Sequence, residues 1–216
     1  MMGGRNAGFR NVANKEKNER KMKLNDDSIG KEFPDGMVKR KAKPYRSNSL
    51  TLEEQERLLN VTERFEDLVL FRLALTTGIR REDIVNVEVG NVDLPNRRLR
   101  FWESKKRRWW EVPLTLEVCQ DIQRLLNTYP HGRKRLFEMT GRTAYNRLQK
   151  YLEKAAISKE LSFHDLRRTF IKTAKKRGLS PKAVSQITGD TLATIEQSYA
   201  NLDIEELKEE VDKLSI

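Results

Sequence analysis

Apolar residues recur along this chain in two rhythms, and the places where one gives way to the other outline its elements. Thr51 followed three residues later by Glu54 reads as a capping box, with a helix running through Leu59. A longer helix is predicted from Thr62 to about Thr77, with Phe65, Leu68, Val69, Leu73 and Thr76 on one face and Gly78 as a left-handed terminator. A short helix from Arg81 to Val87 follows. The period then drops to two. Val89 to Leu94, Arg98 to Trp102 and Trp109 to Val112 are β-prone runs, separated by Pro95-Asn96 and by Ser104 to Arg108, and they predict a small antiparallel meander. After Pro113 helical spacing returns, first from Leu116 to Leu126 with Val118, Ile122 and Leu125 in phase. Helices from about Thr143 to Ala156 and from His164 to Lys176 come next, the second ended by Gly178. Ser180-Pro181 is an N-cap with proline in the first helical position, opening a helix that stops near Thr188-Gly189. A short helix leads to Tyr199. A last one over 203–215 sets Ile204, Leu207, Val211 and Leu214 against an acidic side. The fold class is mainly α with a small antiparallel β-meander (α+β).

Residues 1–48 follow neither rhythm. Basic residues are spread through polar sequence, Lys39, Arg40 and Lys41 among them, and Pro34, Gly36 and Pro44 interrupt it. Such a segment buries too little apolar surface to offset its ordering entropy. It is expected to be a basic flexible arm, with at most a transient helix near Asn14 to Leu24. The length, 216 residues, suits one ordinary domain plus that arm. Lys and Arg total 43 against 32 Asp and Glu, a formal charge of +11, so the expected partner is a polyanion, nucleic acid before any other. No run of 18 apolar residues exists to make a membrane helix, and no apolar stretch after Met1 to Arg10 suggests a signal peptide. A single cysteine, Cys119, excludes an intramolecular disulfide framework and a cysteine zinc site. Two histidines, His131 and His164, do not make a conventional zinc enzyme by themselves. No metal and no cofactor are expected.

Four separated places carry candidate chemistry. In Thr77-Gly78-Ile79-Arg80-Arg81-Glu82-Asp83-Ile84, Asp83 lies three residues after Arg80, spaced to steady a guanidinium that grips phosphate. An Arg/Asp pair on a helix is more often a surface ion pair. Glu103-Ser104-Lys105-Lys106-Arg107-Arg108 lies at a hairpin tip, where a lysine ammonium is placed to protonate a leaving alkoxide. Most basic turns are merely solvated. His164 and Arg167 sit three apart at a helix start, facing one anion together with the positive end of the helix; Arg168 follows. Tyr199, ten residues after Gly189, is a nucleophile only if a base or cations assist its phenol. A late tyrosine is usually packing. Each signal alone is ambiguous.

Taken in order, they resemble the tyrosine recombinase (phage integrase) family. The matching residues are TGIRREDI at Thr77 to Ile84, ESKKRRWWEVPL at Glu103 to Leu114, SFHDLRRTF at Ser162 to Phe170, and ITGD at Ile187 to Asp190 with Tyr199 beyond. The likeness spans about Ser49 to Asn201, so 49–201 is expected to be a catalytic domain and 202–216 an amphipathic helix that docks on a neighbouring protomer. The resemblance implies a site-specific recombinase or integrase that cleaves and rejoins double-stranded DNA through a 3′-phosphotyrosyl intermediate. It implies that Arg80 and Arg167 clamp the phosphate, and that Lys105, or Lys106 one residue on, is the general acid. His164 bonds the phosphate or takes the tyrosine proton, Asp83 orients the site, and Tyr199 attacks. Lys106, Arg107, Arg108 and Arg168, with Lys39, Arg40 and Lys41 of the arm, are expected DNA contacts. A homo-oligomer is expected, tetrameric on DNA and monomeric or dimeric when free, in the cytoplasm with the nucleoid.

Two departures qualify the resemblance. Asp190 stands where the family usually has a histidine or tryptophan that donates to the phosphate, and an ionised carboxylate repels phosphate instead. Weakened activity, a protonated Asp190, or an Asp190 turned away all remain open. The first 48 residues also look too short and polar for the family's helical core-binding domain, so a minimal recombinase, a truncated product and an arm-gripping protein are all in play. Two further readings stand beside the leading one, namely a DNA-binding relative without turnover and a nicking and resealing activity of the type IB topoisomerase kind.

Overall fold

A computed structural model describes residues 49–129, 133–159, 161–200 and 208. The arm with Lys39, Arg40 and Lys41, the stretch 203–215 apart from Lys208, and His131 lie outside the described residues. No described helix is long and apolar enough to cross a membrane. Helix α1 (Leu52–Asn60) starts from the anticipated capping box, with Thr51 Oγ accepting from the Glu54 amide and the Glu54 carboxylate accepting from Thr51 N at 2.8 Å. Helix α2 (Phe65–Thr77) is the central rod. Its burial departs from the one-faced stripe anticipated. Val69, Leu70, Phe71, Leu73, Ala74 and Leu75 are all buried, while Leu68 and Thr76 are only half-buried. The helix is enclosed on nearly all sides, and even Glu66 and Asp67 are buried. Those two carboxylates are met by Arg133 and Arg147 and by the Tyr151 hydroxyl, which removes most of the cost of burying charge.

A one-turn helix α3 (Arg81–Ile84) leads through a 3₁₀ turn (Val89–Asn91) to strands β1 (Val92–Asp93), β2 (Arg98–Glu103) and β3 (Arg108–Pro113). The sheet is antiparallel in the order β1-β2-β3, with Leu99 opposite both Val92 and Val112 and Glu103 opposite Arg108. The first strand is much shorter than the Val89 to Leu94 run suggested, and α3 stops before Val87. The reason is a distant partner: Val89 N donates to the Lys134 carbonyl and Leu136 N to the Val87 carbonyl. That pairing takes the backbone groups that helix or meander would have used. Four helices follow α4 (Leu116–Thr128): α5 (Gly141–Lys154), α6 (Phe163–Lys176), α7 (Pro181–Thr188) and α8 (Leu192–Ala200). Thr115, Thr140 and Ser180 cap α4, α5 and α7 through their hydroxyls. The main core surrounds α2. A smaller apolar cluster of Phe170, Ala174, Val184 and Ile195 holds α7 and α8 against the far half of α6.

Candidate active site

The site forms where the α2–α3 turn, the β2–β3 hairpin, the start of α6 and the α7–α8 link meet. Gly78 makes the first of these possible. It sits at φ +65°, and a Cβ there would lie 2.9 Å from the Phe170 ring. The turn places Arg80 as N-cap of α3, with Ile79 buried just before it. Arg80 Nη1 donates to Glu103 Oε1 at 2.6 Å, and Nη2 donates to Asp190 Oδ1 at 3.0 Å. Arg167, one turn into α6, is only 4% exposed. Its Nη1 donates to the Gly78 carbonyl at 2.6 Å and its Nη2 to the Thr188 carbonyl at 2.8 Å. The same Nη2 lies 2.6 Å from Asp190 Oδ2. One carboxylate therefore bridges both guanidinium groups. Burial draws the Arg167 pKa below the usual arginine value, and the hydrogen bond to Asp190 opposes that shift.

Beside this pair is an open cleft of about 420 Å³ lined by Arg80, Asp83, Ser104, Lys105 and His164 among others. Asp83 is buried; its Oδ1 accepts from Ser104 N at 3.0 Å, which ties α3 to the hairpin tip. Its Oδ2 has no hydrogen-bond partner among the described residues. His164 opens α6 one residue after Phe163. The start of that helix is fixed by Asp165, whose carboxylate accepts both the amide and the hydroxyl of Ser162 at 2.8 and 2.7 Å. Partial desolvation, then the charge of Arg168, lowers the His164 pKa from its ordinary 6.5, which favours the neutral imidazole at pH 7.

The two hairpin lysines diverge. Lys105 lines the cleft, whereas Lys106 donates to the Gly189 carbonyl. Arg107 occupies a left-handed turn position at φ 52° and is exposed. Arg108 stacks over the Trp110 ring at 3.9 Å, donates to Glu103 Oε2 at 2.8 Å and reaches the Gly189 carbonyl at 3.4 Å. Arg168 is exposed and bonded to Asp165.

Tyr199 is not with the others. Its hydroxyl donates to the Leu179 carbonyl at 2.9 Å, and its ring packs on the small cluster beneath α7 and α8. Leu179 lies just past the C-terminal end of α6, its amide donating to the Ala174 carbonyl at 3.0 Å, whereas Arg167 lies in the second turn at the other end of that helix. Burial pushes the Tyr199 phenol up from its ordinary pKa.

Glu103 is the residue that sequence reasoning passed over. It is 1% exposed and accepts from both Arg80 and Arg108. The signal was present. Leu99, Phe101 and Glu103 alternate onto one face of β2, so the face that buries two apolar side chains buries this carboxylate too.

Two guanidinium groups around one anion position, beside a cleft lined by lysine and histidine, define an anion-holding site in a mainly helical domain. The comparisons give that class its family. The profile of the phage integrase family matches residues 48–206, and the chain belongs to that family. The tyrosine recombinase XerA of Saccharolobus solfataricus is 30% identical over 158 residues, 72% of this chain and 52% of the relative. The tyrosine recombinase XerC of Vibrio cholerae is 22% identical over 179 residues, 76% of this chain and 57% of the relative. The chain thus spans little more than half the length of these relatives. Among solved structures, a XerA recombinase superposes with a TM-score of 0.68 at 21% identity, covering 78% of this chain and 65% of that one. The catalytic domain of the bacteriophage HP1 integrase superposes with a TM-score of 0.56 at 23% identity, covering 76% and 93%. These likenesses share the mainly helical fold with its small antiparallel sheet.

Proposed function

We propose that this chain is the catalytic domain of a site-specific DNA recombinase that cuts and rejoins strands through Tyr199. The observation that carries the proposal is the convergence of Arg80 and Arg167 on a single anion position, at 3.0 and 2.6 Å from the two oxygens of one carboxylate. A scissile phosphate there has its developing charge met by two oriented donors. The Tyr199 oxygen attacks phosphorus, the phenolic proton passes to neutral His164, and the Lys105 ammonium protonates the departing 5′ oxygen. A 5′-hydroxyl from another strand reverses the steps, so the bond energy stays in the phosphotyrosyl link. Lys105 is favoured over Lys106, because it lines the cleft while Lys106 is engaged with Gly189. For attack, the phenol has to leave the Leu179 carbonyl, by movement of α8 about the link at Thr191 or by delivery from a second copy.

Double-stranded DNA is the proposed partner, and the net charge of +11 supports it. A structural neighbour, the XerH recombinase, was determined bound to its difH substrate; it superposes with a TM-score of 0.62. The rest of the proposal comprises a tetramer on DNA, a basic arm at 1–48 that touches the duplex, a helix at 202–216 that docks on a neighbour, and residence with the nucleoid.

A second reading, a DNA-binding relative without turnover, is favoured by Asp190 on the arginine pair and by Tyr199 on Leu179. One assay separates the two. With a nicked suicide duplex, the leading reading requires a protein–DNA adduct that survives SDS and is absent from Tyr199→Phe. A footprint without an adduct would leave the second reading standing.

A further inference from the structure

The phosphate position already holds an anion, and that anion belongs to the protein. We propose that Asp190 is a built-in counter-ion, occupying the seat between Arg80 and Arg167 and yielding it when phosphate enters. The inference rests on the proposed phosphate role of that pair and adds what controls access to it.

Three features support this assignment. Asp190 satisfies both guanidinium groups at once, one oxygen to each, as two non-bridging phosphate oxygens would. The seat does not depend on its occupant. Without the carboxylate, Arg80 is still held by buried Glu103 at 2.6 Å, and Arg167 by the Gly78 and Thr188 carbonyls at 2.6 and 2.8 Å. The link that carries Asp190 is held by its backbone. The Thr188 carbonyl accepts from Arg167, the Gly189 carbonyl accepts from Lys106, and the Asp190 carbonyl accepts from Ser185 at 2.8 Å. The carboxylate is therefore free to rotate out about its own side-chain bonds without moving the main chain. Its side chain is 20% exposed, against 4% for Arg167, so the exit is open on the solvent side.

A carboxylate in this seat also answers the concern that Asp190 repels phosphate. It shields two cations while no DNA is bound. Any phosphate that enters competes with it, so apparent phosphate affinity is lowered by the strength of the internal pair.

Thermal unfolding in inorganic phosphate, against sodium chloride of matched ionic strength, tests the competition on the whole chain. In Asp190→Asn the seat is vacated of charge, and phosphate should raise the melting temperature, because a ligand that binds only the folded state stabilises it. Apparent affinity should be tighter than in the parent by about tenfold or more, the scale of one charge-assisted hydrogen bond. The gain should vanish when Arg80→Ala is added. Asp190→Ser, smaller and equally uncharged, gives the same comparison if the asparagine variant folds poorly. Equal phosphate response in the parent and both variants overturns the proposal. The readout needs no DNA cleavage, so it is separable from the recombinase reading: phosphate gain in the variants with no Tyr199 adduct removes that reading and keeps this one. An adduct with equal phosphate responses does the reverse.

Discussion

Glu103 shows how much one side chain decides. Its carboxylate is buried and holds Arg80 on one oxygen and Arg108 on the other. Glu103→Gln keeps the shape and removes the charge, leaving Arg108 without its carboxylate partner and Arg80 with Asp190 alone. Breaking a fully buried pair costs about 3–5 kcal/mol, and the partial exposure of both arginines reduces that here to about 2 kcal/mol. Urea unfolding should register that loss, and the adduct assay should fall with it because Arg80 loses its aim. Gly78 is the second such residue. Gly78→Ala combines a left-handed backbone with a 2.9 Å approach to Phe170. The expected loss is on the order of 1–3 kcal/mol of stability, checked by the same denaturant titration. A neutral result would mean that the turn relaxes without strain.

At the scale of elements, the site depends on where helices begin. His164 and Arg167 occupy the first turns of α6, and Asp165 and Ser162 set that start. Ser162→Ala should cost about 1 kcal/mol by removing the hydroxyl bond of the cap. It should lower adduct formation more than an equally destabilising change elsewhere, because fraying there displaces two site residues. The hairpin works similarly: the amide of Ser104 bonds to Asp83 and so ties α3 to the β2–β3 tip. Helix α8 is the exception. It packs on the small cluster and keeps Tyr199 at Leu179, and Tyr199→Phe should cost about 1 kcal/mol for that lost hydrogen bond while abolishing the adduct.

The whole molecule responds to acid and to salt. The His164 pKa is depressed in the folded state, so the unfolded chain binds the proton more readily below about pH 6.5. Its contribution is fully present above that pH and is lost as pH falls towards the lower folded value. Urea midpoints at pH 7.5 and 5 should therefore drop less in His164→Gln than in the parent. If both fall alike, the acid sensitivity lies elsewhere. The excess of positive charge predicts a DNA affinity that falls linearly on logarithmic axes with salt, measured by anisotropy on a labelled duplex, whatever the outcome at Tyr199.

Much of this architecture was legible in the amino-acid order because it depends on neighbours in the chain. The capping box at Thr51, the αL glycine at Gly78, the helix stop at Thr188-Gly189, the Ser180-Pro181 start and the two-residue alternation of β2 are local, and local sterics enforce them. The residues of the candidate site were legible too, as a series of types in order. What the order left open was every question of distance. The burial of α2 on nearly all sides, the pairing of Val87 and Val89 with 134–136, and the choice of Lys105 for the cleft depend on elements far apart in the chain. So does the fate of Asp190. Read by type it repels phosphate, whereas in the fold its two oxygens lie between Arg80 and Arg167, from positions 110 and 23 residues away. Charge is a property of the residue, but which groups it pairs with is set by what the fold brings within hydrogen-bond reach, and that only the tertiary structure decides.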